Sequence, residues 1–314
     1  MLKEEIDAYV NRKRYRQINS ILLYEKGEIV AECYYNGFTP ESRNVIRSIG
    51  KSITSILVGL CLDKGFIKSL DDPIAKYIPL FAENRHPYHK LIKVRHLLTM
   101  SSGIYWVGGV HYHCPLLRQL RMSDNWLAYI ADVACSDVPG MRYNYKEWDV
   151  LLLAHVIEQA CGEDLYDFLN RELYQPLGIV SGRWWKSPCG TTYSVAGGDN
   201  EAEERTSNLS ARDLLKIGQL FLNGGVYEGK QILSNNYIQQ AITPSKENPG
   251  YGYMWWIGEG WYGCHGYGGQ NVTVMPDKQK IYVMQATPTL RAMEYEDMVS
   301  YVLEEDIHWM DRRR

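Results

Sequence analysis

Ser48-Ile49-Gly50-Lys51-Ser52-Ile53-Thr54-Ser55-Ile56-Leu57-Val58-Gly59-Leu60 is the stretch around which the rest of the chain is read. Ile49, Ile53, Ile56, Leu57 and Leu60 recur at helical spacing and Gly65 supplies a stop, so the pattern predicts a long apolar helix. Ser48 falls in its first turn, where free amides and the positive dipole end favour negative charge. A serine three residues before a lysine on a helix sets hydroxyl and amine on one face, one turn apart. An amine so placed can take a proton from the alcohol and turn it into a nucleophile. Taken alone, the tetrad is better read as an N-cap serine followed by a solvated lysine.

Gly50-Lys51-Ser52 also has the form of the end of a phosphate loop. That motif needs a glycine five residues before Gly50, where Val45 stands, and no glycine lies between Gly37 and Gly50 to let the backbone wrap a phosphate.

The chain has 314 residues, 45% of them apolar and 23% charged, the proportions of a soluble globular protein. A net charge of −3 without a long basic stripe argues against nucleic acid as a partner. No run reaches the roughly 18 apolar residues of a membrane span. The first 19 residues are charged and lack the apolar core of a signal peptide. Seven scattered cysteines, odd in number and without a Cys-x-x-Cys pair, fit a reducing compartment, and the expected location is cytoplasmic. His111-Tyr112-His113-Cys114 is metal-like in composition. Without a second ligand group at a recognisable spacing it reads as loop or pocket lining, and no metal or organic cofactor is expected. The 24 Tyr and 9 Trp against 5 Phe suit a wet cleft for organic groups, or a packed core with a polar rim.

Residues 1–17 read as an amphipathic helix and residues 21–35 as a hairpin turning at Lys26-Gly27. The middle of the chain is mostly helical. Trp148 to Ala160 is stopped by Gly162, and Leu165 to Tyr174 by Pro176 and Gly178. Ser210 with Asp213 marks a capping box for a helix closed by Gly224-Gly225. Strands are expected at 252–257, 270–275 and 280–285, then a terminal helix at 294–308. Strands at both ends with helices between predict an α/β fold of the α+β type. An antiparallel sheet of N- and C-terminal strands (residues 1–80 with 196–314) would be flanked by helices and carry an inserted, mostly helical lobe (81–195), with the site between the two.

Further segments, in order, carry a resemblance. They are Arg95-His96-Leu97-Leu98-Thr99-Met100-Ser101-Ser102-Gly103, Pro139-Gly140 with Tyr145, Ser210 to Leu214, and Gly266-Tyr267-Gly268-Gly269-Gln270. Together with Ser48-x-x-Lys51 they resemble the serine β-lactamase-like hydrolases over nearly the whole chain. That superfamily includes class C β-lactamases, DD-peptidases, family VIII esterases and 6-aminohexanoate-dimer hydrolases. The resemblance implies that Ser48 forms an acyl-enzyme, that Lys51 receives or shuttles its proton, and that Tyr145 acts with the lysine as general base and acid. It also implies an oxyanion hole from the backbone amides of Ser48 and Tyr267. A tyrosine is a poor base near its ordinary pKa of about 10, and a neighbouring ammonium favours its phenolate.

Two departures bear on the substrate. Glu147 stands where these proteins have asparagine, and a carboxylate cannot donate to a substrate carbonyl. It would also hold Lys51 charged if the two meet. Cys264-His265-Gly266 aligns with a Lys-Thr-Gly or His-x-Gly triad, so the cation that would grip a β-lactam carboxylate is missing, although His265 is placed to substitute in part. The expected activity is hydrolysis of a small, neutral or amine-bearing ester or amide, with weak or no β-lactam turnover. The alternatives are a penicillin-binding β-lactamase or DD-peptidase-like enzyme, or a catalytically weak binding protein of the same fold. Glu147, Cys264, His265, Gly266, Tyr105, Trp106 and Trp256 are the candidate substrate contacts, with Trp184, Trp185 and Tyr262 as further candidates for the pocket walls. The oligomeric state is left open.

Overall fold

The computed structural model describes residues 3–83, 85–107, 115–194, 207–289 and 295–308. After helix α1 (Lys3–Lys13), strands β1 (Ile18–Glu25) and β2 (Glu28–Tyr34) form a hairpin. Its turn residues Lys26 and Gly27 both take positive φ, 48° and 101°, the hand that matches the twist of the flanking strands. A short β3 (Arg43–Val45) leads into α2 (Ile49–Asp63). The chain then runs through α3 (Val94–Leu98), α4 (Pro115–Arg121), α5 (Trp126–Asp132), α6 (Glu147–Cys161) and α7 (Leu165–Leu169). Short strands β4 (Trp185–Lys186), β5 (Thr192–Tyr193) and β6 (Asn208–Ser210) precede α8 (Ala211–Leu222). The two-residue strands β7 (Val226–Tyr227) and β8 (Lys230–Gln231) pair with each other ahead of α9 (Asn235–Ala241). Strands β9 (Trp256–Gly258), β10 (Trp261–Gly266), β11 (Gln270–Met275) and β12 (Lys280–Ala286) then complete the sheet before α10 (Glu296–Leu303).

The main sheet is antiparallel, in the order β2-β1-β12-β11-β10-β9, so the two ends of the chain meet at β1 and β12. The strand period of two sorts its residues. Leu22, Ile281 and Val283 face the core that holds α2, α6 and α8, whereas Ile21, Leu23, Tyr282 and Met284 face α1 and α10. Helix α2 is buried from Ile49 to Cys61, which makes it a central helix rather than an amphipathic surface one. Its interior polar groups are satisfied locally: Thr54 Oγ1 donates to Gly50 O at 2.9 Å, and Ser55 Oγ lies 2.9 Å from Tyr237 Oη. Ser210 and Asp213 cap α8 reciprocally, as their spacing predicts.

Four boundaries differ from expectation. The first helix ends at Lys13, because Arg14 turns left-handed at φ 58°. The segment 252–257 is mostly turn and its strand begins only at Trp256. Residues 165–174 are an α-helical turn followed by a π-helical one (Asn170–Tyr174). The terminal helix is confined to Glu296–Leu303. The cluster His111 to Cys114 lies outside the described residues.

Candidate active site

Ser48 occupies the N-cap position of α2, but its side chain makes no capping bond. Its Oγ instead accepts a hydrogen bond from Lys51 Nζ at 3.0 Å. Lys51 is not a solvated lysine either: only 2% of its side chain is exposed. The simpler reading of the tetrad thus holds for the N-cap position of Ser48 and is corrected for the solvated lysine. The central burial of α2 turns the 48/51 face into the protein, where a lysine is retained only if it is paired.

The partner is Glu147, whose Oε1 lies 2.8 Å from Lys51 Nζ. The same ammonium sits over the Tyr145 ring, 5.1 Å from its centroid. Tyr145 stacks on Trp256 (centroids 5.8 Å, planes 28° apart) and meets Tyr251 edge-on at 6.1 Å. Ser48, Lys51, Tyr145, Glu147 and Trp256 therefore converge at the first turns of α2 and α6.

Two close approaches bring other segments to this point. A side chain at Gly266, at the end of β10, would strike the Ile46 carbonyl and Arg47 Cβ, so the strand end lies against the residues that lead into Ser48. A side chain at Gly50 would strike the Ser194 hydroxyl, so the segment after β5 lies against the first turn of α2. Arg47 takes φ 50°, a conformation costly for a residue with a side chain, directly before the nucleophile candidate. Tyr267 follows β10 and donates its hydroxyl to Thr289 O at 3.0 Å.

His265 lies on β10 with its ring 6.4 Å from Trp256 and 5.9 Å from Trp261. Its Nδ1 is 2.8 Å from Asn271 Nδ2, so Nδ1 accepts from the amide. Burial pushes its pKa down to about 3, so the ring is neutral at ordinary pH and supplies no cation for a substrate carboxylate. This corrects the expectation that His265 stands in for the missing cation. Cys264 points the other way into the core, with its thiol pushed up by burial. Trp184 and Tyr262 are core residues as well, the latter packed on Phe221 and Trp255 rather than on the cleft. Trp185 packs with Trp126 and Tyr193. Tyr105 is exposed, and its carbonyl accepts the Trp148 indole N–H at 3.1 Å; Trp106 packs edge-on against the same indole.

One group of residues escaped sequence reasoning. Lys146, between Tyr145 and Glu147, turns inward and is 1% exposed. Its Nζ lies 3.8 Å from Asp149 Oδ2 and donates to Ser102 Oγ at 3.3 Å, while Ser102 Oγ donates to Asp149 Oδ1 at 2.6 Å. Asp149 is fully buried and burial raises its pKa. The available signal was a Lys and an Asp three apart at the head of an otherwise apolar helix. Among the described residues, no group of three or more His, Cys, Asp or Glu could hold a metal ion, and no helix is long and apolar enough to cross a membrane.

The family model described as Beta-lactamase matches residues 9–303. Among curated proteins, the chain is 22% identical over 232 residues to the 6-aminohexanoate-dimer hydrolase of Paenarthrobacter ureafaciens, covering 72% of this chain and 57% of that one. It is 31% identical over 153 residues to the D-aminopeptidase of Brucella anthropi, covering 45% of this chain and 26% of the relative. The chain thus spans little more than half of the first of these relatives and a quarter of the second. Among solved structures, the octameric penicillin-binding protein homologue from Pyrococcus abyssi matches with a TM-score of 0.75 at 21% identity, over 98% of this chain and 78% of that one. At that identity the structural likeness shows the fold alone.

Proposed function

The chain belongs to the beta-lactamase family over residues 9–303, and from that premise we propose that it is a serine hydrolase of small esters or amides acting through a Ser48 acyl-enzyme. The observation that carries this reading is the contact of Lys51 Nζ with Ser48 Oγ, 3.0 Å apart at the buried N-terminus of α2. That geometry lets an amine handle the serine proton where amide dipoles favour the developing negative charge. Lys51 and Tyr145 move the protons. The amides of Ser48 and Tyr267 receive the oxyanion, a contribution worth roughly 10²–10³ in rate per donor in other enzymes. The cleft lies between the sheet portion (1–80 with 196–314) and the helical portion (81–195), and the enzyme acts in the cytoplasm.

The substrate is neutral or amine-bearing. His265 is neutral and Lys51 is already engaged by Glu147, which leaves neither to grip a carboxylate. The named activities of the relatives, a dimer of 6-aminohexanoate and a D-aminopeptide, support an amine-bearing acyl chain. Short-acyl p-nitrophenyl esters and a chromogenic cephalosporin, compared side by side, test this. Ester cleavage with weak or absent cephalosporin turnover is expected, and fast cephalosporin hydrolysis contradicts the substrate assignment.

A further inference from the structure

Lys51 Nζ bridges two oxygens in a line: Ser48 Oγ at 3.0 Å and Glu147 Oε1 at 2.8 Å. A lysine held as an ammonium by a carboxylate is not a base, and the family's asparagine at this position can take no proton. Either Glu147 impairs the site or it takes part in it. We propose that Glu147 is the terminal proton acceptor of a Ser48–Lys51–Glu147 relay, acting through Lys51 as a positioning residue of the hydrolase proposed above.

The proton balance closes without any further reactant. As Ser48 Oγ bonds to the substrate carbonyl carbon, its proton passes to Lys51 while Lys51 passes one of its own to Glu147. The result is a tetrahedral oxyanion, a lysine still cationic and a neutral Glu147. Collapse of the intermediate breaks the bond to the leaving group, which takes a proton from Tyr145 as Lys51 replaces it and Glu147 returns its own to Lys51. Water repeats the sequence on the acyl-enzyme, and Ser48 recovers its proton. Both contacts are short and both side chains are buried, so the line from Ser48 through Lys51 to Glu147 is shielded from water.

Other titratable groups face the pair. Tyr145 lies under Lys51, and Tyr193 from β5 and Tyr251 from the turn before β9 lie near Glu147, with Arg121 near Tyr193. Burial holds Tyr193 and Tyr251 well above the ordinary tyrosine value.

Glu147→Gln is the discriminating variant, because its amide oxygen still accepts from Lys51 but takes no proton. With a short-acyl p-nitrophenyl ester, kcat is expected to fall by about 10²–10⁴ with KM within a few-fold, and Glu147→Asp to recover part of the loss. Wild-type kcat and an unchanged pH profile in a folded Glu147→Gln protein overturn the relay, as does a folded Asp variant no better than Gln. A wild-type proton inventory needs no variant: a bowed plot, from two protons in flight, supports the relay, and a straight one overturns it. The failures separate cleanly. If wild type neither turns over ester nor reacts with a fluorophosphonate, the hydrolase reading itself falls; if it does both and Gln does so equally well, only the relay falls.

Discussion

Residues 145–149 feed two buried lysine–carboxylate pairs, and the two differ in one respect. Lys51 with Glu147 and Lys146 with Asp149 each hide an ammonium that is at most 2% exposed. The first pair has the Ser48 hydroxyl and the Tyr145 face at its open end. The second closes on Ser102. Identical chemistry thus does two jobs according to what lies beyond the ammonium. In the relay proposed above one pair moves protons, while the other ties the start of α6 to the Ser102 segment. A buried pair of the second kind contributes little net stability, yet breaking it by half is costly.

The comparison is broken most sharply at the lysines. Lys51→Met should lower ester kcat by about 10³–10⁴, near the upper limit for acid–base groups, while circular dichroism shows a folded chain. Lys146→Met should instead appear in thermal or urea unfolding as a loss of about 3–5 kcal/mol from the stranded Asp149, largely recovered in Lys146→Met/Asp149→Leu. If Lys146→Met lost ester kcat to the extent that Lys51→Met does, the division of labour would be wrong. Tyr145→Phe comes next, with kcat down by about 10²–10³ and little change in unfolding.

The smallest effect is one of pH. The folded pKa of His265 lies below its unfolded value, at about 3 against about 6.5. Its contribution to stability is present above about pH 6.5 and is lost as pH falls toward 3, at about 1.4 kcal/mol per pH unit. Unfolding curves at pH 7 and pH 5 should therefore diverge less in His265→Gln than in wild type.

Much of this was legible in the chain. The hairpin at Lys26-Gly27, the α2 helix and the α8 capping box follow from local rules that tertiary contacts did not override. Spacing and resemblance singled out Ser48, Lys51 and Tyr145, which the fold brings together, and the meeting of Glu147 with Lys51 was foreseen as a possibility. What spacing could not supply was burial. The tetrad taken alone suggested a solvated Lys51, whereas a helix packed on all sides turns that lysine inward. The inward course of Lys146 depends on Ser102, some forty residues earlier, and His265 reads as a cation until its surroundings are known. Cys264 and Tyr262 went to the core because strand alternation sets their faces, and the sequence did not mark which face of β10 borders the cleft.

The central claim is that Ser48 is a nucleophile activated by Lys51. Intact-mass analysis after incubation with a fluorophosphonate tests it most directly, in wild type beside Ser48→Ala. The account predicts a single adduct on wild type, mapped to Ser48 by peptide digestion, and none on the variant. Wild-type protein that stays unmodified, or an adduct that persists in Ser48→Ala, would contradict it.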